Sequence, residues 1–494
     1  MGLIIISPVF LIWANNEPKS VLATRSPSFK VLDPDKARFI FKTMKDNQIF
    51  TEGPIVKKLI IFMLPILGAL ALQVFYGMVD LAIVGNFSTT EATAGVSMGS
   101  QIISYATYMI VGMATAVTVF LGRFIGEKRT NEAGNVIGSS IFFFLFVTIV
   151  FTALFCIFAE PLLRLINLSE AAMQEGVNYT VICGAGCIFI TSFNLLGAIF
   201  RGVGDSKTPL ITVAIACVVN IVGDLILVWG CDMGAAGAAI ATIAAQAISV
   251  VISLIITVQR AKKGKLPFEF SLKCIRPHWN LMGKIVKVAI PLAFNELILG
   301  VSFLVLSAIL NQLGTAAAAA VGVGGKISGF IMIFTSAFSQ SLAAFVAQNI
   351  GARNLKRAQK AWISGTAIAC GFGVIMLVLM FIFGSDICSL FSKDPDVIRL
   401  GTDFAKAYAV DTTFSAAMFC TCGYLNGCGK SNITLSQCIV GVVVRIPMAF
   451  LLMNLGGGSM FITGLCVPIS TISQLIFLLI FLGITNKKMK AEYA

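Results

Sequence analysis

From Thr51 onward the chain alternates long apolar runs with short polar loops rich in glycine and lysine. Twelve runs are of spanning length, at about 57–85, 92–122, 133–159, 173–199, 208–230, 234–258, 284–313, 317–349, 358–383, 398–424, 432–455 and 461–484. A helix of ~20 apolar residues crosses a ~30 Å hydrocarbon layer and satisfies its own backbone there. Small residues recur within the runs, as close helix packing in lipid prefers. The predicted fold is therefore an all-α polytopic membrane protein.

Residues 1–50 break this pattern. The apolar stretch Leu3–Ala14 is too short to span and has no basic residue before it, so it does not read as a signal peptide. The polar stretch that follows carries Pro18, Pro27 and Pro34 and reads as a disordered tail, with Met44 as an alternative start.

Internal similarity divides the rest. Gly126-Glu127-Lys128-Arg129 recurs as Gly351-Ala352-Arg353-Asn354, and the loop Arg201–Ser206 recurs as Asn426–Ser431, both 225 positions on. Pro65 falls on Pro291 at one residue more. The chain thus reads as two six-helix bundles in tandem, 51–258 and 284–486, joined by a linker at 259–283 and followed by a basic tail at 487–494. An even number of spans per bundle makes the two repeats parallel, related by an axis along the membrane normal.

Composition agrees: 57% of residues are hydrophobic and only 12% charged, about half the charged share of a soluble domain. The net charge of +13 would suggest nucleic acid in a soluble protein. Here it sorts by side. With the N-terminus inside, the inner loops hold Lys57, Lys58, Arg123, Lys128, Arg129, the Arg260–Lys265 cluster, Arg353, Lys356, Arg357, Lys487, Lys488 and Lys490, and the outer loops only Arg164, Lys393 and Arg399. That bias places both termini and the linker in the cytoplasm. No nucleic-acid partner is needed to explain the charge. The thirteen cysteines lie mostly in apolar runs and read as small hydrophobes, and the single histidine, His278, cannot build a metal site.

Two parallel bundles suggest alternating access. There is no repeated filter-like loop for a channel and no catalytic cluster for an enzyme. Several segments then carry a resemblance: the first span with Val79-Asp80-Leu81 and Val84-Gly85, the loop Phe200–Pro209, Asn220-Ile221-Val222-Gly223-Asp224 in the fifth span, and Gly234–Thr242 in the sixth. Over about residues 50–485 the chain resembles the MATE (multidrug and toxic compound extrusion) transporters. The resemblance implies a monomeric antiporter of the plasma (inner) membrane, without a cofactor, that expels organic and often cationic compounds in exchange for H⁺ or Na⁺. The alternative is a flippase for a lipid-linked oligosaccharide.

A charge inside a membrane is costly and marks function by default. Within apolar segments lie Asp80, Asp224, Glu296 and Asp411, with Lys326, Lys406 and Arg445. Asn220 is one turn before Asp224 on the same helix face. The resemblance assigns ion coupling to Asp80, Asp224, Asn220, Thr242 and Asn194. It adds Gln73 and Tyr179 to the cavity, with Glu296 and Asp411 as further cavity acids. The repeat sets Leu306 where Asp80 stands, Ala449 for Asp224 and Arg445 for Asn220. Coupling is thus expected in the N-terminal bundle alone, with Arg445 neutralised by Glu296 or Asp411. The glycines of 202–204 and 427–429 read as tight turns rather than a phosphate loop.

The topology is open to a direct check. A reporter fused after Lys490 is expected to read cytoplasmic, and an extracellular reading would overturn the charge-based orientation.

Overall fold

The computed structural model describes residues 50–264, 266–268 and 274–493. The predicted tail up to residue 49 and the middle of the linker fall outside them, while Phe50, assigned to the tail, is described and buried. The first half contains α1 (Ile55–Phe87), α2 (Thr90–Gly126), α3 (Thr130–Ile157), the short α4 (Ala159–Leu165), α5 (Glu170–Ala185), α6 (Cys187–Gly202), α7 (Lys207–Asp224) and α8 (Gly234–Lys262). The second contains α9 (Trp279–Asn311), α10 (Thr315–Gly351), α11 (Leu355–Ser389), α12 (Pro395–Gly427), α13 (Ser431–Leu455), the short α14 (Met460–Gly464) and α15 (Cys466–Tyr493).

Ten of the described helices are long and apolar enough to cross a membrane, and an eleventh span is a broken one. The fourth predicted span, 173–199, is two helices, α5 and α6, bent by 54° at Gly186. The tenth, 398–424, is a 33-residue helix, α12. Asp403, Lys406 and Asp411 make it too polar to count as a span by apolarity. It is long enough to cross, and packing against α10, α11 and α15 replaces lipid along much of it. Twelve spans are therefore met in length, eleven in apolarity.

The repeat is visible in the backbone. Lys128 and Arg353, 225 apart, both take a left-handed conformation (φ 60° and 55°), as do Gly204 and Gly429 (φ 84° and 73°). The glycine loops are tight turns. Asp205, after the first, accepts from the backbone N–H of Lys207 (3.0 Å) and of Thr208 (3.1 Å) and pairs with Arg260 at 2.5 Å. That fastens the end of α8 to the start of α7.

The halves meet around the same pseudo-axis on the face carrying the basic loops. A Cβ on Gly126 would strike the carbonyl of Gln348, and one on Gly351 the carbonyl of Arg123, so α2 and α10 cross backbone against backbone. Arg123 donates to the Cys428 carbonyl at 3.3 Å and Gln348 to the Gly202 carbonyl at 3.1 Å. These two bonds stand at nearly equivalent positions of the repeat. Phe50 is fixed there as well: its N–H donates to Gln348 (3.0 Å), and its carbonyl accepts from Asn349 (3.3 Å) and Arg357 (2.8 Å).

Helix α1 belongs to both halves. Before Pro65, Leu59, Phe62 and Met63 pack with Phe338, Leu342 and Phe345 of α10. Beyond it, Ile83 and Val84 join the core of the first half. Pro65 lies inside the helix, where it withholds a backbone donor. The linker is anchored at both described ends. Phe268 is buried in the first half's core, and the His278 N–H donates to Ser139 of α3 at 3.4 Å.

The glycine crossing yields a stability test. Gly351→Leu forces the crossing apart and should cost about 1–3 kcal/mol, read as a lower thermal midpoint in detergent. Gly371, with nothing within 4 Å, should accept alanine without loss. Equal midpoints for the two variants would contradict the close crossing.

Candidate ion and substrate sites

The first half buries two carboxylates against each other. Asp80 comes from α1 and Asp224 from the last residue of α7, and they are 6% and 0% exposed. Their side chains are within hydrogen-bonding contact. Asp80 Oδ1 and both carboxylate oxygens of Asp224 have no protein donor. Asn220 adds a fourth unpartnered acceptor, Oδ1. Its Nδ2 donates to Thr242 Oγ1 at 3.4 Å, and Tyr179 is in side-chain contact with the same threonine. So the fold brings together Asp80, Asp224, Asn220, Thr242 and Tyr179, from α1, α5, α7 and α8.

Local packing explains the convergence. A Cβ on Gly223 would lie 2.9 Å from the Ala241 Cβ, so α7 and α8 touch beside Asp224 and Thr242. Directly after Asp224 the backbone loosens into a π-helical turn, Leu225–Gly230, against which α1 packs. Single π turns recur at functional sites because they re-aim neighbouring side chains. Nothing in the apolar stretch 225–230 marks this in the sequence.

Two anions in contact, with no donor, are not stable as such in a low-dielectric bundle. Either one proton is shared between them or a cation sits against both. Hard oxygen ligands of this kind suit a small cation such as Na⁺, and the carboxyl–carboxylate pair equally suits H⁺.

The remaining predicted residues lie elsewhere. Gln73 and Asn194 line a separate cavity of about 60 Å³ with Arg201, Ser253 and Gln340, away from the carboxylate pair. Asn194 spends its amide on the Ile190 carbonyl at 2.8 Å. The family resemblance placed it with the ion ligands, whereas in the fold it lines this cavity. Tyr179, expected in the substrate cavity, instead backs the Thr242–Asn220 pair and is 3% exposed. Glu296 sits where α9 meets α2, its side chain close to Gly112 and its carboxylate accepting from Asn295 at 3.4 Å. Asp411 lies deep in the second half, accepting from Ser415.

The expected neutralisation of Arg445 takes another form. It is 3% exposed and donates to Ser302 at 3.0 Å, with its guanidinium 4.5 Å from the Phe303 ring centre. Among the described residues no carboxylate closes an ion pair with it within 4.0 Å. A hydroxyl and an aromatic face take the role expected of Glu296 or Asp411. Lys326, which lies within an apolar run, is exposed on a bare face of α10 where Gly322, Gly325 and Gly329 meet nothing within 4 Å.

Comparison with known proteins gives a consistent result. The family model described as MatE matches residues 65–226 and 291–451, so each half matches once. The chain is similar to the "Probable multidrug resistance protein YpnP" of Bacillus subtilis, 25% identical over 81% of this chain and 89% of that protein. It is similar to the "Multidrug export protein MepA" of Staphylococcus haemolyticus, at 24% over 84% and 91%. It is also similar to the "FAD transporter" of Shewanella oneidensis, at 26% over 72% and 78%. Among solved structures, "Crystal structure of MATE in complex with MaL6" superposes with a TM-score of 0.83 at 18% identity, covering 90% of this chain and all of that one. This last likeness supports the fold alone.

The donor-free pair predicts an unusual sign. Asp224→Asn supplies an amide donor to Asp80 and removes one of two like charges. In Na⁺-free buffer above neutral pH it should raise the thermal midpoint by a few degrees, about 1–2 kcal/mol. Thr242→Val, which strips a partner from Asn220 and Tyr179, should lower it by a similar amount. A large loss of stability in Asp224→Asn would show that the pair is held by donors of its own.

Proposed function

The chain belongs to the MatE family, and on that premise we propose that it is a secondary antiporter exporting organic, amphipathic compounds in exchange for H⁺ or Na⁺ by alternating access. The family and its named relatives make it a multi-pass membrane transporter of small molecules. The observation that carries the coupling reading is the contact of Asp80 with Asp224, buried and without donors.

The mechanism follows from where α1 is attached. Its N-terminal part is packed on the second half and its C-terminal part carries Asp80 to α7 of the first. Packing on the second half runs past Pro65 to Ile66, Leu67 and Leu70, so Pro65 lies within that part, in a helix already short of one backbone hydrogen bond there. An arriving proton or Na⁺ relieves the repulsion between the carboxylates and draws α1 against α7 and its π turn. When the ion leaves, the repulsion returns and α1 is pushed off. Each change alters the pull of α1 on α10, and α10 is one side of the glycine crossing that closes the basic face. Ion occupancy thus biases which face is open, and reciprocity requires that the open face bias ion affinity. No equivalent pair stands in the second half, where Leu306 and Ala449 occupy the matching positions.

Cargo chemistry is broader than the ion chemistry. Relatives are named both for multidrug export and for FAD, so the exported molecule need not be a cation. The Gln73–Asn194 cavity offers amide and hydroxyl groups beside apolar walls, a lining that suits amphipathic cargo.

Transport decides between these readings. In proteoliposomes with separate H⁺ and Na⁺ gradients, the wild type should drive efflux of a cationic dye. Asp80→Asn should fall to the level of protein-free vesicles while remaining folded. Arg445→Ala should instead lower the yield of folded protein. Coupled export by Asp80→Asn would overturn the assignment, and movement of a lipid-linked sugar without dye export would favour the flippase.

A further inference from the structure

The cavity lined by Gln73 and Asn194 also holds a cation that nothing in the protein balances. Arg201, next to last in α6, borders the same space of about 60 Å³, together with Gln340 of α10. Among the described residues no carboxylate comes within 4.0 Å of its guanidinium, no acceptor takes its N–H groups, and no acid lines the cavity. The side chains of Gln73 and Gln340 are equally without partners there. All three residues are half-buried, and their polar atoms keep accessible surface. Gly197, one turn before Arg201, makes the room. A Cβ there would stand 3.3 Å from Arg201 Nη1, so the guanidinium lies back along α6 over a glycine that itself lines the cavity.

The repeat shows that the turn after α6 does not need this charge. Asn426 stands 225 positions on and is engaged by the Thr434 hydroxyl at 3.0 Å. Three residues later each turn has the same left-handed glycine, Gly204 or Gly429 (φ 84° and 73°). An unpaired guanidinium inside a bundle is costly, and asparagine closes the equivalent turn without that cost. An arriving anion offsets it. The space has room for about four to six waters, the scale of one carboxylate or phosphate group, so the body of a larger molecule would lie outside it. A planar guanidinium takes two oxygens of such a group at once, and the amide N–H groups of Gln73 and Gln340 supply further donors. An ammonium in the same place would meet Arg201 and find no acid.

We propose that this cavity is an oxyanion subsite that takes one carboxylate or phosphate group on Arg201, with Gln73 and Gln340 as further donors. Its place in the fold gives binding a consequence. Gly202, next to Arg201, accepts from Gln348 at 3.1 Å, and Gln340 stands eight residues before Gln348 on α10. An oxyanion shared by Arg201 and Gln340 therefore ties the first half to the second beside the crossing that closes the basic face. The group can belong to a soluble cargo or to the head of an anionic lipid. As a cargo subsite it rests on the exporter reading above, but binding itself can be measured without transport.

The full-length chain in phosphatidylcholine nanodiscs is titrated calorimetrically with inorganic phosphate, acetate and acetamide, which has the shape of acetate without its charge. Acetate should bind at least about tenfold more tightly than acetamide, which forfeits the charge-assisted bonds to Arg201. Arg201→Asn copies the second half's residue at this turn. It should fold, and it should weaken phosphate binding at least about tenfold while leaving acetamide unchanged. Equal affinity for acetate and acetamide, or no heat of binding from phosphate, would mean that the cavity holds only water and would overturn the proposal. So would undiminished phosphate binding by folded Arg201→Asn. If that variant does not fold, the acetate and acetamide comparison on the wild type still decides. Phosphatidylglycerol added to the nanodiscs separates the two sources: competition with phosphate assigns the site to a lipid head, and undisturbed phosphate binding assigns it to soluble cargo. Dye export without oxyanion binding removes this site alone. Oxyanion binding without export of either a cationic or an anionic dye removes the exporter reading and leaves the site.

Discussion

Everything in the first half is arranged around two carboxylates that touch without a donor between them. In water such a contact is trivial. Inside a helical bundle the low dielectric multiplies the repulsion, and solvent is not there to absorb it. Asp80 and Asp224 can be kept in contact only if something positive comes and goes. Asn220, Thr242 and Tyr179 surround the pair without donating to the orphaned oxygens. On the function proposed above, the site depends on an ion from outside, and an ion-dependent contact between α1 and α7 is a usable switch.

On the same proposal, the rest of the fold turns that contact into a movement of halves. Helix α1 is rooted in the second half through Phe62 and Phe50, which stacks on Phe345 at 5.0 Å. It joins the core of the first half further along, at Ile83 and Val84. The basic face is closed by a symmetric crossing of α2 and α10 at two glycines, where a methyl group would already collide with a carbonyl. Packed backbones of this kind separate or close as units and do not deform gradually. A small displacement of α1 is therefore passed on as a change of state. The two halves share backbone geometry at Lys128/Arg353 and Gly204/Gly429 but not chemistry: the first holds the donor-free carboxylates, the second an arginine and an acid kept apart.

Much of this was legible in the sequence, for definite reasons. Apolar runs of spanning length leave little choice of fold, and an offset of 225 residues exposes the duplication. Acids in apolar runs are conspicuous, so Asp80 and Asp224 stood out, and Asn220 followed from helical spacing. Details that depend on packing did not show. The 54° break at Gly186 looks like any small residue in a span. The π turn after Asp224 has no sequence signal. The resemblance set Asn194 beside the ion ligands and Tyr179 in the cavity, whereas the fold puts Asn194 at the Gln73 cavity and Tyr179 against Thr242, because residues on one bundle can face different spaces. Lys326 was conspicuous as a base within an apolar run, but nothing in the sequence showed that its glycine neighbours leave that face of α10 bare. The partner of Arg445 was sought among acids, whereas Ser302 and Phe303, unremarkable in sequence, take it.

The dependence of the carboxylate pair on an external ion can be observed spectroscopically. Infrared difference spectra of the purified protein, recorded between Na⁺-free and Na⁺-containing buffer and between acid and alkaline pH, report the C=O stretch of a protonated carboxyl. A band that disappears on deprotonation or on Na⁺ addition, and that is missing from the Asp80→Asn, Asp224→Asn double variant, is the expected result. Difference spectra identical in the wild type and the double variant would contradict it, because the pair would then hold neither a proton nor a cation.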